Sequence, residues 1–134
     1  MVEVIDASVA IKWFVQEPGR EAALKLLAKI LATPQHYCVP ELFFFELANI
    51  FNRLLPQASV EQKSLFENLF DLGLTRFSLT AELFRELRYF QSLGLSGYDA
   101  SYVALAKSVE GQWVTFDAKA HKKIATLKLS RLLQ

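Results

Sequence analysis

The sequence predicts an α/β fold with a central parallel sheet of four or five short strands, on three observations. Short apolar runs of strand type recur along the chain: "VEVID", "HYCV", "TRFSL" and "QWVTF". A helical stretch separates each from the next, and that alternation calls for parallel strands with right-handed crossovers. The 134 residues hold no internal repeat, low-complexity tract or linker, so residues 1–134 read as one domain long enough to bury a core.

Element by element, "VEVID" is a short buried strand that stops at Asp6, and residues 8–15, "SVAIKWFV", are helical. "EPG" restarts the chain, and "REAALKLLAKILA" is an amphipathic helix ending before "TPQ". "HYCV" is a second strand closed by Pro40, followed by the apolar helix "ELFFFELANIFNRLL", which Pro56 ends. Ser59 caps the helix "VEQKSLFENLFDLGL", with Gln62 three residues on as the capping-box partner. "TRFSL" is a third strand and "TAELFRELRYFQSLG" the helix after it. A helix then opens at Ser96 in "LSGYDASYVALA", where the Ser-x-x-Asp spacing is again a capping pattern. "QWVTF" is the fourth strand, a short helix starts at Ala118, and "TLKLSRL" is a candidate last strand.

Composition narrows the class of protein. Hydrophobic residues make up 52% and charged residues 22%, as in an ordinary globular domain and unlike a disordered one. No apolar run approaches the roughly 20 residues a membrane span needs. "MVEVIDAS" carries no basic leader, so no secretory signal is expected. The single cysteine, Cys38, excludes an internal disulfide and any multi-cysteine zinc site; it suits a reducing cytoplasm and reads as a small buried hydrophobe. Net charge is +1, but residues 101–134 hold six Lys/Arg against two acids. That basic stretch could attract phosphates or simply be a solvated surface.

Open parallel sheets bind ligands at the carboxyl ends of their strands. Asp6 and Asp117 follow two of these strands, and Asp99 stands at a helix N-terminus, at the same edge in such a fold. Glu46 lies inside an apolar helix, beside Asn49 and Arg53. Each acid also has a purely structural reading. Asp6 and Asp117 can be N-caps, Asp99 can serve its own helix start, and Glu46 can be a solvated boundary residue. Two carboxylates about 4 Å apart repel by roughly 4 kcal/mol at an effective dielectric near 20. A cluster of four would therefore shift its pKa values or bind a cation. Oxygen donors without nearby histidine or cysteine suit Mg²⁺ or Mn²⁺ rather than zinc, and phosphodiester hydrolysis is the chemistry such a site serves. Ser8 and Thr115, two residues from Asp6 and Asp117, are candidate supports or ordinary caps. His36 and His121 have no spacing that suggests a ligand pair.

These residues carry a family resemblance over essentially the whole chain. "VIDASVAIKWF", "PELFFFELANIF", "LSGYDASYVALA" and "WVTFD" resemble, in order, the four acidic motifs of PIN-domain ribonucleases, most closely the VapC-type toxins of toxin–antitoxin pairs. The resemblance implies a PIN-like domain with Asp6, Glu46, Asp99 and Asp117 as the acidic cluster, the first three as main metal ligands, and Ser8 and Thr115 as supports. It implies a Mg²⁺- or Mn²⁺-dependent endoribonuclease in which a metal-activated water attacks the RNA phosphodiester in line. A cognate antitoxin crossing the active-site groove and a homodimer are implied too. Glu41 competes with Glu46 for the second position, but directly after Pro40 it is better placed at the helix start. "LFFFELANIF" and "LFENLF" put six Phe on two consecutive helices, either core or an exposed remainder for a partner. The alternatives are a stand-alone RNA-processing nuclease and a catalytically silent binding module of the same fold. A receiver domain fits less well, because "TRFSL" ends without an acid. A haloacid-dehalogenase-type phosphatase needs a second Asp where Ser8 stands.

Overall fold

Parallel neighbours cannot be joined by a tight turn, so every strand-to-strand connection carries at least one helix. The computed structural model describes residues 1–55, 57 and 59–134. Five strands, β1 (Glu3–Ile5), β2 (Tyr37–Pro40), β3 (Thr75–Phe77), β4 (Gln112–Thr115) and β5 (Ser130–Leu132), form one sheet. Its order is β3-β2-β1-β4-β5 and every neighbouring pair is parallel. The helices are α1 (Ala7–Ala10), α2 (Arg20–Ala32), α3 (Leu42–Leu54), α4 (Val60–Glu67), α5 (Ala81–Gln91), α6 (Gly97–Ser108) and α7 (Ala118–Ile124).

The strand order fixes the position of the site. From β1 the chain steps outward to β2 and β3, then returns to place β4 on the other side of β1, with β5 beyond it. Right-handed crossovers put α1–α4 on one face and α5–α7 on the other; α1 accordingly packs on α3, and α5 on α6. The direction of travel reverses between β1 and β4, and the crevice outside their carboxyl ends is where an open α/β sheet accepts ligands. Asp6 and Asp117 leave β1 and β4 at that crevice.

Several elements are shorter than their sequence patterns. The run from Val60 stops being α-helical at Glu67 and tightens into a 3-10 turn over Asn68–Asp71, before Gly73 at φ 84° turns the chain into β3. The Ser59–Gln62 capping box is present in both directions at 3.1 and 2.9 Å. The helix at residue 8 begins one residue earlier and passes into a 3-10 turn over Ile11–Trp13. In the last stretch only Ser130–Leu132 pairs, because Ala125–Leu127 is a 3-10 turn and Lys128 is left-handed at φ 58°. Pro56, the expected stop of α3, lies outside the described residues.

The core lies on both sides of β1 and β4, where Val4, Ile5, Trp113 and Val114 are fully buried. Large side chains here each contribute about 1.5–3 kcal/mol of transfer free energy. α6 is the central post. Ala100, Tyr102, Val103, Ala104, Leu105 and Ala106 are all buried, and the alanines let the helix sit close to β1, β2 and β4. Cys38 is buried in β2 and its thiol is pushed up to about 12 by burial, so it is inert. Gly111 shows how tightly β4 is seated: a Cβ there would stand 2.0 Å from the Val2 carbonyl oxygen, a backbone atom that cannot swing aside. Gly111→Ala should destabilise the protein by about 3 kcal/mol, the upper end of overpacking, as read from urea unfolding.

Candidate active site

Asp6 is the buried centre of the site. It follows β1 with its N–H bonded to the Val114 carbonyl at 3.1 Å, and the residue is 6% exposed. Oδ2 accepts from Ser8 Oγ at 2.6 Å and from Thr115 Oγ1 at 2.7 Å. Each hydroxyl in turn accepts a backbone N–H of the β4–α7 turn, Ser8 from Phe116 at 3.2 Å and Thr115 from Asp117 at 3.0 Å. With one proton apiece, both already given to Asp6, the two hydroxyls lock the end of β1 to the end of β4. Asp6 makes no side-chain cap to α1, so the capping reading does not apply to it. Burial pushes its carboxyl up, the two hydroxyls and the Ala7 backbone N–H pull it down, and the Asp117 charge raises it.

Glu46 projects from α3, and its Oε1 accepts from Tyr102 Oη at 2.7 Å. Tyr102 is fully buried on α6 and stacked on Trp113, with ring centroids 5.9 Å apart. Glu46 is only partly buried, yet its carboxyl is pushed up to about 7. Burial is the main cause, partly offset by the Tyr102 hydroxyl, and the charges of Asp6 and Asp99 add to it. Asp99, in the first turn of α6, gives its backbone N–H to Ser96 Oγ at 3.0 Å, and the same serine side chain also supports its half-buried carboxyl. That carboxyl is pushed up to about 6 by burial and by Asp6 and Asp117, against Ser96 and the Lys123 charge.

Asp117 differs from the other three. It is exposed, and its Oδ1 caps α7 by accepting from Ala120 N–H at 3.0 Å. Its charge still reaches Asp6 and Asp99. Glu41 belongs elsewhere: Arg76 of β3 holds it with two bonds of 2.6 and 2.9 Å, and that pairing lowers its carboxyl. His121 Nδ1 lies 2.7 Å from Ser130 Oγ, and His36 is exposed.

The structure thus brings Asp6, Glu46 and Asp99 together at the β1/β4 crevice, with the charges of Asp6 and Asp99 reaching Glu46, and sets Asp117 at the rim, where its charge reaches Asp6 and Asp99. Among the described residues no three Asp, Glu, His or Cys side chains close into a ready-made cage. Asp6, Glu46 and Asp99 are the oxygen donors that could hold a cation, with Ser8 and Thr115 fixing the first. Tyr102 is the residue sequence reasoning passed over. Its signal was present, since a tyrosine three residues after Asp99 on the same buried stripe needs a partner for its hydroxyl.

The six Phe divide between core and surface. Phe43 is fully buried, and Phe51 packs edge-on against Phe14 and Phe66 at 4.9 and 4.2 Å. Phe44 stacks on Phe70 at 4.5 Å with Arg76 over both rings. Phe45 is 70% exposed and, with Leu42, Asn49, Ile50 and the exposed Tyr98, lines a cleft of ≈ 270 Å³ that also contains Glu46.

A family model described as PIN domain matches residues 4–127. No curated protein matches the chain. Among solved structures, a toxin–antitoxin complex from Klebsiella pneumoniae aligns with a TM-score of 0.71 at 14% identity, covering 98% of each chain. VapC20 of Mycobacterium tuberculosis, described as a sarcin–ricin-loop-cleaving toxin, aligns with a TM-score of 0.69 at 14% identity, over 90% of this chain and 93% of that one. FitAcB from Neisseria gonorrhoeae gives 0.68 at 17% identity, over 92% and 94%. At these identities the likeness is one of fold.

Proposed function

The chain belongs to the PIN domain family, a family of nucleases, and on that premise we propose that it is a divalent-metal-dependent endoribonuclease, the toxin of a toxin–antitoxin pair. The observation that carries the reading is the trio Asp6, Glu46 and Asp99 at the β1/β4 crevice, whose carboxyls are raised by burial and by neighbouring acids and which have no ion-pair partner among the described residues. Acids held at such a cost are retained for a ligand.

In this reading Asp6, Glu46 and Asp99 hold Mg²⁺ or Mn²⁺, and Asp117 stands at the rim. The donor set fits: it is all oxygen and anionic, and Mg²⁺ commonly binds through one or two carboxylates while keeping waters, so a closed cage is not needed. When bound, the ion supplies Lewis-acid stabilisation of charge on a phosphodiester under attack. The protein supplies rigidity. Ser8 and Thr115 hold the Asp6 carboxylate in one orientation, Tyr102 does the same for Glu46, and the buried α6 fixes Asp99. At neutral pH Glu46, with its carboxyl near 7, exchanges a proton readily when no cation is present.

The apolar wall of Phe45, Leu42 and Tyr98 beside Glu46 supports docking of an antitoxin segment across the crevice. A second, more apolar cleft of ≈ 290 Å³, lined in part by Phe77, Leu79, Leu83 and Leu87, supports the proposed homodimer. Antitoxin-free protein incubated with structured RNA should cut it in Mg²⁺ or Mn²⁺, stop on chelation, and recover when the ion is restored. Cleavage that persists under chelation, or in the Asp99→Asn protein, refutes the metal-dependent reading.

A further inference from the structure

Helix α7 starts at Asp117, the acid at the rim of the crevice, and carries three lysines in its seven residues. At 100° per residue Lys119, Lys122 and Lys123 form one stripe, spaced i, i+3 and i+4, while Ala120 and Ile124 are buried on the opposite side. All three lysines are exposed, and none is ion-paired among the described residues. Lys123 is tied down without being neutralised. Its Nζ donates to the Gly94 carbonyl at 2.8 Å, in the loop that leads into α6 and Asp99, leaving two of its three protons free. From there its charge reaches the Asp99 carboxyl.

Four acids at the crevice repel a polyanion, so RNA needs compensating cations along its path to reach them. We propose that the Lys119–Lys122–Lys123 face of α7 is the phosphate-binding track that carries single-stranded RNA into the crevice, with Lys123 holding the phosphate nearest Asp99. Lys119 and Lys123 are one helical turn apart, a rise of about 6 Å, comparable to the step between successive phosphates. Contacts of this kind add affinity without reading sequence, and they release counterions. The proposal rests on the reading of the chain as an RNA-cutting nuclease.

The test is binding of a fluorescein-labelled mixed-sequence RNA of about 20 nucleotides, across a range of salt, to the full chain carrying Asp6→Asn so that the probe survives. Replacing the three lysines together with Gln should weaken binding about tenfold at low salt. It should also flatten the slope of log K against log[salt] by about 2, roughly 0.7 per lost phosphate contact on a single strand. The triple Lys→Arg protein should keep the parent slope, and Lys119→Gln/Lys122→Gln, which leaves the Lys123–Gly94 contact intact, should show about two thirds of the flattening. An unchanged slope in the triple Gln protein overturns the proposal. So does salt-dependent capture of polyglutamate with no binding of RNA, which would assign the face to an acidic protein partner. Cleavage by the wild-type chain is scored separately: cutting that persists with an unchanged slope spares the nuclease reading, and lysine-dependent binding without cutting spares the track.

Discussion

Asp6→Asn should abolish RNA hydrolysis, by on the order of a thousandfold in kcat, and at pH 8 without divalent cations it should raise the melting temperature. The two effects have one cause. Asp6 is a buried carboxylate that burial and Asp117 both disfavour as an anion. The amide removes that charge yet keeps an oxygen where Oδ2 stands, able to receive both the Ser8 and Thr115 hydroxyls. Packing is preserved and self-repulsion falls, while the most enclosed candidate ligand loses its charge. Activity on RNA substrate and a thermal melt, on the same sample, check both halves. A variant that loses activity and also melts lower would show that Asp6 serves the fold rather than the chemistry.

The second large effect is a reversed pH dependence of stability. Glu46 and Asp99 have carboxyls at about 7 and about 6 in the folded protein, against ordinary values of 4.5 and 3.8. Between these limits the folded chain holds protons that the unfolded chain has released. Their stabilising contribution is complete below about pH 4 and lost as pH rises to about 7. Both groups are partly open to solvent, so screening leaves a combined loss of about 2 kcal/mol. Metal-free protein should therefore be less resistant to urea at pH 8 than at pH 5. Mg²⁺ should restore resistance at pH 8 and do little at pH 5, because protons occupy the same oxygens there. The double variant Glu46→Gln/Asp99→Asn should show a shallower profile across this range, the remainder being due to the buried Asp6, and a weaker response to Mg²⁺. A wild-type profile that is flat or rises from pH 5 to 8 would contradict the clustering itself, whatever the activity on RNA.

Some of this was decided locally and could be read from the chain. α2 runs over the stretch marked by "EPG" and "TPQ", and the Ser59–Gln62 box and the Ser96 cap form at their sequence positions, because caps and breakers act within one helical turn. Alternation of apolar strands with helices fixed the fold class, since a parallel sheet has no other way to connect. The four acids could be named one by one, and so could the basic balance of residues 101–134. The places where patterns overran the elements are equally local in origin: 3-10 turns at Asn68–Asp71 and Ala125–Leu127 continue a helical or strand-like pattern without its hydrogen bonds.

What only tertiary structure decided is which groups meet. Glu41 at the start and Glu46 inside one apolar helix compete for the same role, and Arg76, 35 residues along the chain from Glu41, removes it from consideration by pairing with it. Asp6 and Thr115 are 109 residues apart, and they touch because the strand order sets β1 beside β4 at the reversal of the sheet. Tyr102 reads as core until α6 brings its hydroxyl to Glu46. Three lysines on a short helix are a solvated face until α7 is seen to begin at one acid and turn back toward another. A single sequence specifies charge and periodicity within an element. Desolvation and Coulomb coupling between elements depend on distances that exist only once the chain is folded.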